Sequence, residues 1–129
     1  GIEIVESSSL YETIPFCVPD EQSNYLNCCV KVSVELSAHA LLGVCLGIEA
    51  AMGRERKFRF CSRIIDIDLL LYADHTYSTK ELTVPHPRIR ERAFVIVPMG
   101  DLCEDKIFYN FDFSFEFNTL NRTGINLIC

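Results

Sequence analysis

The chain lacks the basic excess that a nucleic-acid surface needs: 12 Lys and Arg stand against 18 Asp and Glu, a formal net charge of -6. Neutralising a polynucleotide backbone calls for the opposite balance, so nucleic acid is excluded as a partner, while a small local basic site for a nucleotide is not. Long apolar runs are also missing. The longest, from Ala40 to Met52, is interrupted by Glu49 and is too short to span a bilayer, so no membrane partner is expected. The start shows no basic-then-apolar-then-small leader, and it opens on Gly1 rather than Met, which fits a processed form or a piece of a longer chain. The 7 cysteines include no C-x-x-C pair, and an odd number cannot all be bridged. Free thiols in a reducing, cytoplasmic compartment are expected. Neither G-x-x-x-x-G-K-[ST] nor G-x-G-x-x-G occurs, which removes the P-loop and Rossmann routes to a phosphate site.

What is present suits one compact domain over residues 1–129, with 49% hydrophobic and 23% charged residues. Residues 2–12 alternate and predict a strand; 13–23 carry Pro15 and Pro19 and predict a loop. The Val-rich alternation from Leu26 predicts a second strand. Ser37 is a natural N-cap for a helix in which Leu41, Leu42, Cys45, Ile48, Glu49 and Met52 recur at helical spacing, with Gly53 as the stop. The basic segment RERKFRFCSR, residues 54–63, leads into IIDIDLLLY, which predicts a buried strand. A turn and short strand follow, then a proline-bounded loop, a short helix near Arg88 to Phe94 and an apolar segment. Beyond Cys103 the alternating aromatics of FYNFDFSFEF fit either a strand or an irregular tail. Helices and strands are mixed without strict alternation, so an α+β fold or an α/β sandwich is expected.

Asp66 and Asp68 sit inside an otherwise aliphatic run. Residues two apart on extended backbone share a face, so both carboxylates point one way while Ile65, Ile67 and Leu69 point the other. Oxygen ligands of this kind suit magnesium, which keeps open positions for water and substrate phosphates. A bare D-x-D also fits a wet strand edge carrying two ordinary acids. The neighbourhood favours the metal, because Arg54, Arg56, Arg59 and Arg63 lie upstream and Arg88, Arg90 and Arg92 downstream. Acids for magnesium together with guanidinium forks for the remaining phosphate charge are what ATP requires. His86, between Pro85 and Pro87, is either a structural loop residue or a donor to phosphate. His39 and His75 read as surface residues.

Four segments, SSLYETIPF, NYLN, GRERKFRFCSRIIDIDLLLY and LTVPHPRIRERAFVIVP, resemble in order and spacing the 6-hydroxymethyl-7,8-dihydropterin pyrophosphokinase family, over roughly residues 5 to 102. The resemblance implies a ferredoxin-like α/β/α sandwich with a mainly antiparallel sheet. It also implies transfer of the diphosphate of ATP to a pterin alcohol in folate biosynthesis, releasing AMP. Asp66 and Asp68 would hold two magnesium ions. Arg54, Arg56, Arg63 and His86 match positions near the phosphates, and Arg92 one near the reacting end. Leu69, Leu82 and Thr83 match the adenine surround. Asn27 would hydrogen-bond the pterin between Tyr25 and Phe94, with Thr13 and Phe16 at the rim.

The sequence departs from the family pattern in two places. Phe60-Cys61-Ser62-Arg63 stands where the family usually has Trp-Gly-Pro-Arg. The family's opening strand, Gly-Ser-Asn-Leu-Gly turn and helix have no counterpart, so an N-terminal element is expected to be missing, and the tail over residues 103–129 lacks a clear counterpart. These departures keep two alternatives open: an inactive truncated relative serving as a binding or scaffolding module, and another magnesium-dependent nucleotidyl transferase. Fusion or association with dihydropteroate synthase is a further possibility the family allows.

Overall fold

The structure is a computed structural model that describes residues 1–14, 25–53 and 65–129. Strands and helices are mixed, with antiparallel pairing in each sheet whose register is defined, giving an α+β fold. The backbone forms two compact units, one of Gly1 with Val34–Pro87 and the other of Ile2–Ser33 with Arg88–Cys129.

The first unit is organised by helix α1 (Ala38–Ala51). Ser37 caps it as the sequence predicts, its hydroxyl accepting from the Ala40 amide at 3.2 Å. Gly53, at φ 87°, supplies the left-handed residue that ends it. Strands β5 (Tyr77–Ser78) and β6 (Thr83–Val84) form a hairpin, with Tyr77 opposite Val84 and Ser78 opposite Thr83. Thr79 closes the turn: its amide donates to the Leu82 carbonyl at 2.8 Å and its hydroxyl accepts from the Leu82 amide at 3.1 Å. Ala38, Leu82 and Val84 form the core, and Leu42, Leu69, Tyr72 and Tyr77 pack against it. The Tyr72 phenol donates to the Leu36 carbonyl, tying residues 65–72 to the helix entrance.

Residues 65–72 are not a strand, contrary to the sequence expectation. The alternation is nonetheless real. Ile65, Ile67 and Leu69 are half-buried while Asp66 and Asp68 are exposed, so the backbone is extended in side-chain pattern but is fixed by individual contacts. The Ile67 amide donates to Glu49 Oε2 at 2.8 Å and the His86 amide donates to the Leu70 carbonyl at 2.9 Å.

In the second unit, each expected long strand is broken in two. Residues 2–12 become β1 (Ile2–Ser7) and β2 (Tyr11–Thr13), and the Val-rich segment becomes β3 (Tyr25–Asn27) and β4 (Val30–Val34). The breaks coincide because Ser8 and Cys29 bond to each other there: the Ser8 amide donates to the Cys29 carbonyl and the Ser8 hydroxyl accepts from the Cys29 amide, both at 2.8 Å. A side chain thus occupies a donor that a regular ladder would use. β1 pairs with β4 and is exposed along its whole length. β2 lies between β3 and β9 (Ile125–Leu127), with Tyr11 opposite both Asn27 and Leu127.

A 3-10 turn (Ile89–Glu91) precedes helix α2 (Ala93–Asp101). The apolar segment is therefore a helix despite Pro98 in its interior. It is buried from Val95 to Gly100, and a helix apolar on every side shows no 3.6-residue period to read. Nor are residues 103–129 an irregular tail. They form the hairpin β7 (Ile107–Phe108) and β8 (Phe111–Asp112), helix α3 (Ser114–Thr119) and the outer strand β9. Asp112 starts α3 by accepting from the Ser114 amide at 2.9 Å and hydroxyl at 2.6 Å, bonds that hold its carboxyl below the usual range. Phe113 is fully buried. Arg90, grouped with the phosphate arginines by sequence, donates instead to Glu116 Oε1 and the Asp112 carbonyl, both at 2.9 Å.

α2 packs against β2, β3 and α3. Asp101, its last residue, accepts from the Ser9 amide at 3.1 Å and the Tyr11 phenol at 2.7 Å. Burial, then the hydrogen bond to Asp101 and its charge, push the Tyr11 phenol up to about 12. Two predictions follow from this unit's packing. A Cβ on Gly100 would overlap the Phe117 ring, so Gly100→Ala lowers stability by about 1–3 kcal/mol in chemical denaturation, although glycine to alanine inside a helix ordinarily stabilises; an unchanged midpoint contradicts this packing. The raised phenol adds stability that is complete below its unfolded value near 10 and is lost as pH rises through about 12. Unfolding curves of the Tyr11→Phe variant then lack the alkaline loss seen in the parent over that window, and tyrosinate absorbance loses its latest-titrating component.

Candidate functional site

The expected site residues fall into two sets. In the first unit, Asp66 and Asp68 lie exposed on the outer edge of the extended stretch, and Leu69 turns inward onto the core that contains Leu82. Leu82 is 5% exposed and its neighbour Thr83 is exposed. His86 is half-buried and follows the cis Val84–Pro85 bond. Its amide bond to Leu70 brings the proline loop alongside the acidic stretch. Asp66, Asp68, Leu69 and His86 are thus held on two adjacent strips of backbone.

The donor set suits a hard cation: two carboxylates on one wet edge supply oxygen ligands and leave room for others. Among the described residues, no group of three or more His, Cys, Asp or Glu converges as a complete metal cage.

In the sequence Glu49 interrupts an apolar run and shares the helical spacing of Leu41, Cys45 and Ile48, with no sign of its partner. It is 3% exposed, two turns along α1 from the buried Leu41, and its carboxylate takes the Ile67 amide between the two aspartates. An ionised group removed from water is costly unless hydrogen-bonded, and a charge-assisted bond of this length offsets part of that cost. Burial, followed by the Glu49 charge, raises the pKa of the neighbouring Cys45 thiol, and the Asp68 charge adds to the effect. This thiol is therefore not a poised nucleophile.

In the second unit, the sheet brings Thr13, Tyr25 and Asn27 together. Thr13 lies opposite Tyr25, and the Asn27 Nδ2 donates to Thr13 Oγ1 at 2.6 Å. The rim residue thus orients the carboxamide. Tyr25 is 53% exposed. Phe94 opens α2, the helix that packs on β2 and β3, and the Arg92 guanidinium lies 5.6 Å from the centre of its ring. Arg88 bonds to Glu91 at 2.8 Å. Phe16, Arg54, Arg56, Arg59 and Arg63 lie outside the described residues.

The sequence that carries these residues matches known proteins. The family model described as 7,8-dihydro-6-hydroxymethylpterin-pyrophosphokinase matches residues 1–104. The chain belongs to this pyrophosphokinase family. The 2-amino-4-hydroxy-6-hydroxymethyldihydropteridine pyrophosphokinase of Methylorubrum extorquens is 45% identical over 107 residues, covering 83% of this chain and 67% of the relative. The protein of the same name from Bacillus subtilis is 37% identical over 104 residues, 81% of this chain and 62% of its own. A mitochondrial folate synthesis bifunctional protein of Pisum sativum is 44% identical over 102 residues, 79% of this chain and 20% of its own. The chain thus spans about two thirds of the length of these bacterial pyrophosphokinases. The family match ends at Glu104, before the β7–β8 hairpin, α3 and β9.

Proposed function

We propose that this chain, acting as one functional domain over residues 1–129, transfers the β,γ-diphosphate of ATP to the hydroxymethyl oxygen of 6-hydroxymethyl-7,8-dihydropterin and releases AMP. The observation that carries this reading is the exposed Asp66 and Asp68 pair on an otherwise inward-facing aliphatic stretch, in a chain of this family. Asp66 and Asp68 would hold two magnesium ions, whose charge would offset that of the phosphates. Arg54, Arg56 and Arg63 fork the remaining phosphate oxygens, His86 donates to them, and Arg92 meets the reacting end. Leu69, Leu82 and Thr83 border the adenine.

On the pterin side, Tyr25 and Phe94 take the faces of the ring, and offset stacking suits a flat polar heterocycle. The Asn27 carboxamide, with one hydrogen committed to Thr13, reads the ring edge with its remaining donor and its oxygen. Phe16 lines the rim. The hydroxymethyl oxygen bonds to the β-phosphorus as the bond to the α-phosphate oxygen breaks, and the hydroxyl proton is released. No protein nucleophile takes part, so the residues' contribution is alignment and charge neutralisation. The absence of a helix long and apolar enough to cross a membrane among the described residues and the free thiols Cys28, Cys29, Cys45, Cys103 and Cys129 support a cytoplasmic setting. The bifunctional name of the pea relative supports fusion or association with another folate enzyme, for which dihydropteroate synthase is our candidate.

Asp66→Ala and Asp68→Ala each lower AMP formation by at least ~10²-fold with circular dichroism unchanged, given the several kcal/mol that metal stabilisation supplies. Near-normal AMP formation in both variants rejects the metal assignment. Calorimetric titration of Phe94→Ala finds pterin binding weaker by about tenfold and ATP binding nearly unchanged. Equal losses for the two ligands contradict the stacking role.

A further inference from the structure

We infer that Glu49 is a positioning residue for the acidic pair: its buried carboxylate fixes the peptide between Asp66 and Asp68 and so sets where both point. The inference rests on the magnesium–ATP reading of those two aspartates. It starts from an anomaly in α1. Leu41 and Ala38 are buried on this helix as apolar residues, and Glu49 is buried with them at 3% exposure. An aliphatic side chain would fill the same space without desolvating a carboxylate. What the carboxylate supplies is an acceptor, and its Oε2 takes the Ile67 amide at 2.8 Å.

That one bond acts on a stretch with no strand ladder assigned to it. A second hydrogen bond on the stretch runs from the His86 amide to the Leu70 carbonyl at 2.9 Å. The two bonds bracket Asp68, and the first lies directly between the two aspartates. With Ile67 held inward, alternation turns Asp66 and Asp68 outward together. Rotation of the 66–67 peptide would separate them. Glu49 touches neither metal nor nucleotide in this scheme; it acts through the backbone, as outer-sphere partners do for metal ligands.

The test compares the parent protein with Glu49→Gln, which keeps an acceptor oxygen, and Glu49→Met, which does not. One readout is amide hydrogen exchange at Ile67 by NMR. The other is binding of Mn2+ in the presence of ATP and without pterin, by electron paramagnetic resonance. The parent and Glu49→Gln are expected to exchange Ile67 slowly and to bind Mn2+ within about twofold of each other. Glu49→Met is expected to lose the protection and to bind Mn2+ roughly 10–100-fold more weakly, the range typical of lost outer-sphere partners. An Ile67 amide that exchanges in the parent at the rate of an open peptide overturns the inference whether or not Glu49→Met folds. So does Glu49→Met binding Mn2+ as the parent does. Glu49→Gln binding as poorly as Glu49→Met, with Ile67 still protected, also overturns it, by assigning the effect to charge. A parent that binds no Mn2+ with ATP rejects the magnesium reading itself, a distinct result.

Discussion

Two carboxylates one residue apart, in a stretch whose other side chains are aliphatic, impose a single backbone requirement: the acids stay in water and the aliphatics stay in the core. Residues 65–69 meet it by strict alternation, with Ile65, Ile67 and Leu69 half-buried and Asp66 and Asp68 exposed. The hydrophobic contribution of Leu69 against Leu82 and Val84 favours one facing of the stretch. The opposite facing would bury two charges, a cost of several kcal/mol for each. Helix α1 and the β5–β6 hairpin form the surface against which that choice is made. The chemistry proposed for the unit follows from the outward edge that results.

A comparable economy governs the other unit. β2 is flanked by two strands and overlaid by α2, and both β3 and α2 engage polar side chains there. Thr13 holds the Asn27 carboxamide, and Asp101 holds the Tyr11 phenol and the Ser9 amide. The hydrogen-bonding groups of the sheet face are therefore directed by the fold itself, and if the face binds the proposed pterin, that lowers the ordering cost of recognition. Tyr25 stays exposed beside them, and Phe94 is carried on the first turn of the overlying helix.

Local signals were legible wherever one residue type dictates one conformation. Ser37 and Gly53 bounded α1 correctly, and the period-2 pattern of residues 65–69 correctly separated the acids from the aliphatics. The α+β class and the family also followed from the sequence. What misled was pattern without a partner: the same alternation suggested a strand where individual contacts hold the chain. Ser8 and Cys29 broke two strands through a side-chain bond between residues 21 apart in sequence, which no local window contains. Helix α2 hid behind Pro98 and its uniform burial. The aromatics after Cys103 alternate without forming one strand: Phe111 and Phe113 are buried, Phe108 and Phe117 half-buried, and Tyr109 and Phe115 exposed. Glu49 showed as a break in an apolar run at helical spacing, and its partner, the Ile67 amide, has no side-chain signature.

The proposal that the acid pair serves diphosphate transfer is tested most directly by the fate of ATP. The protein is incubated with magnesium, γ-labelled ATP and 6-hydroxymethyl-7,8-dihydropterin, and the products are separated. The account predicts AMP and a labelled pterin diphosphate in equal amounts. ADP with a singly phosphorylated pterin, or free inorganic diphosphate with the nucleotide joined to the pterin, contradicts it.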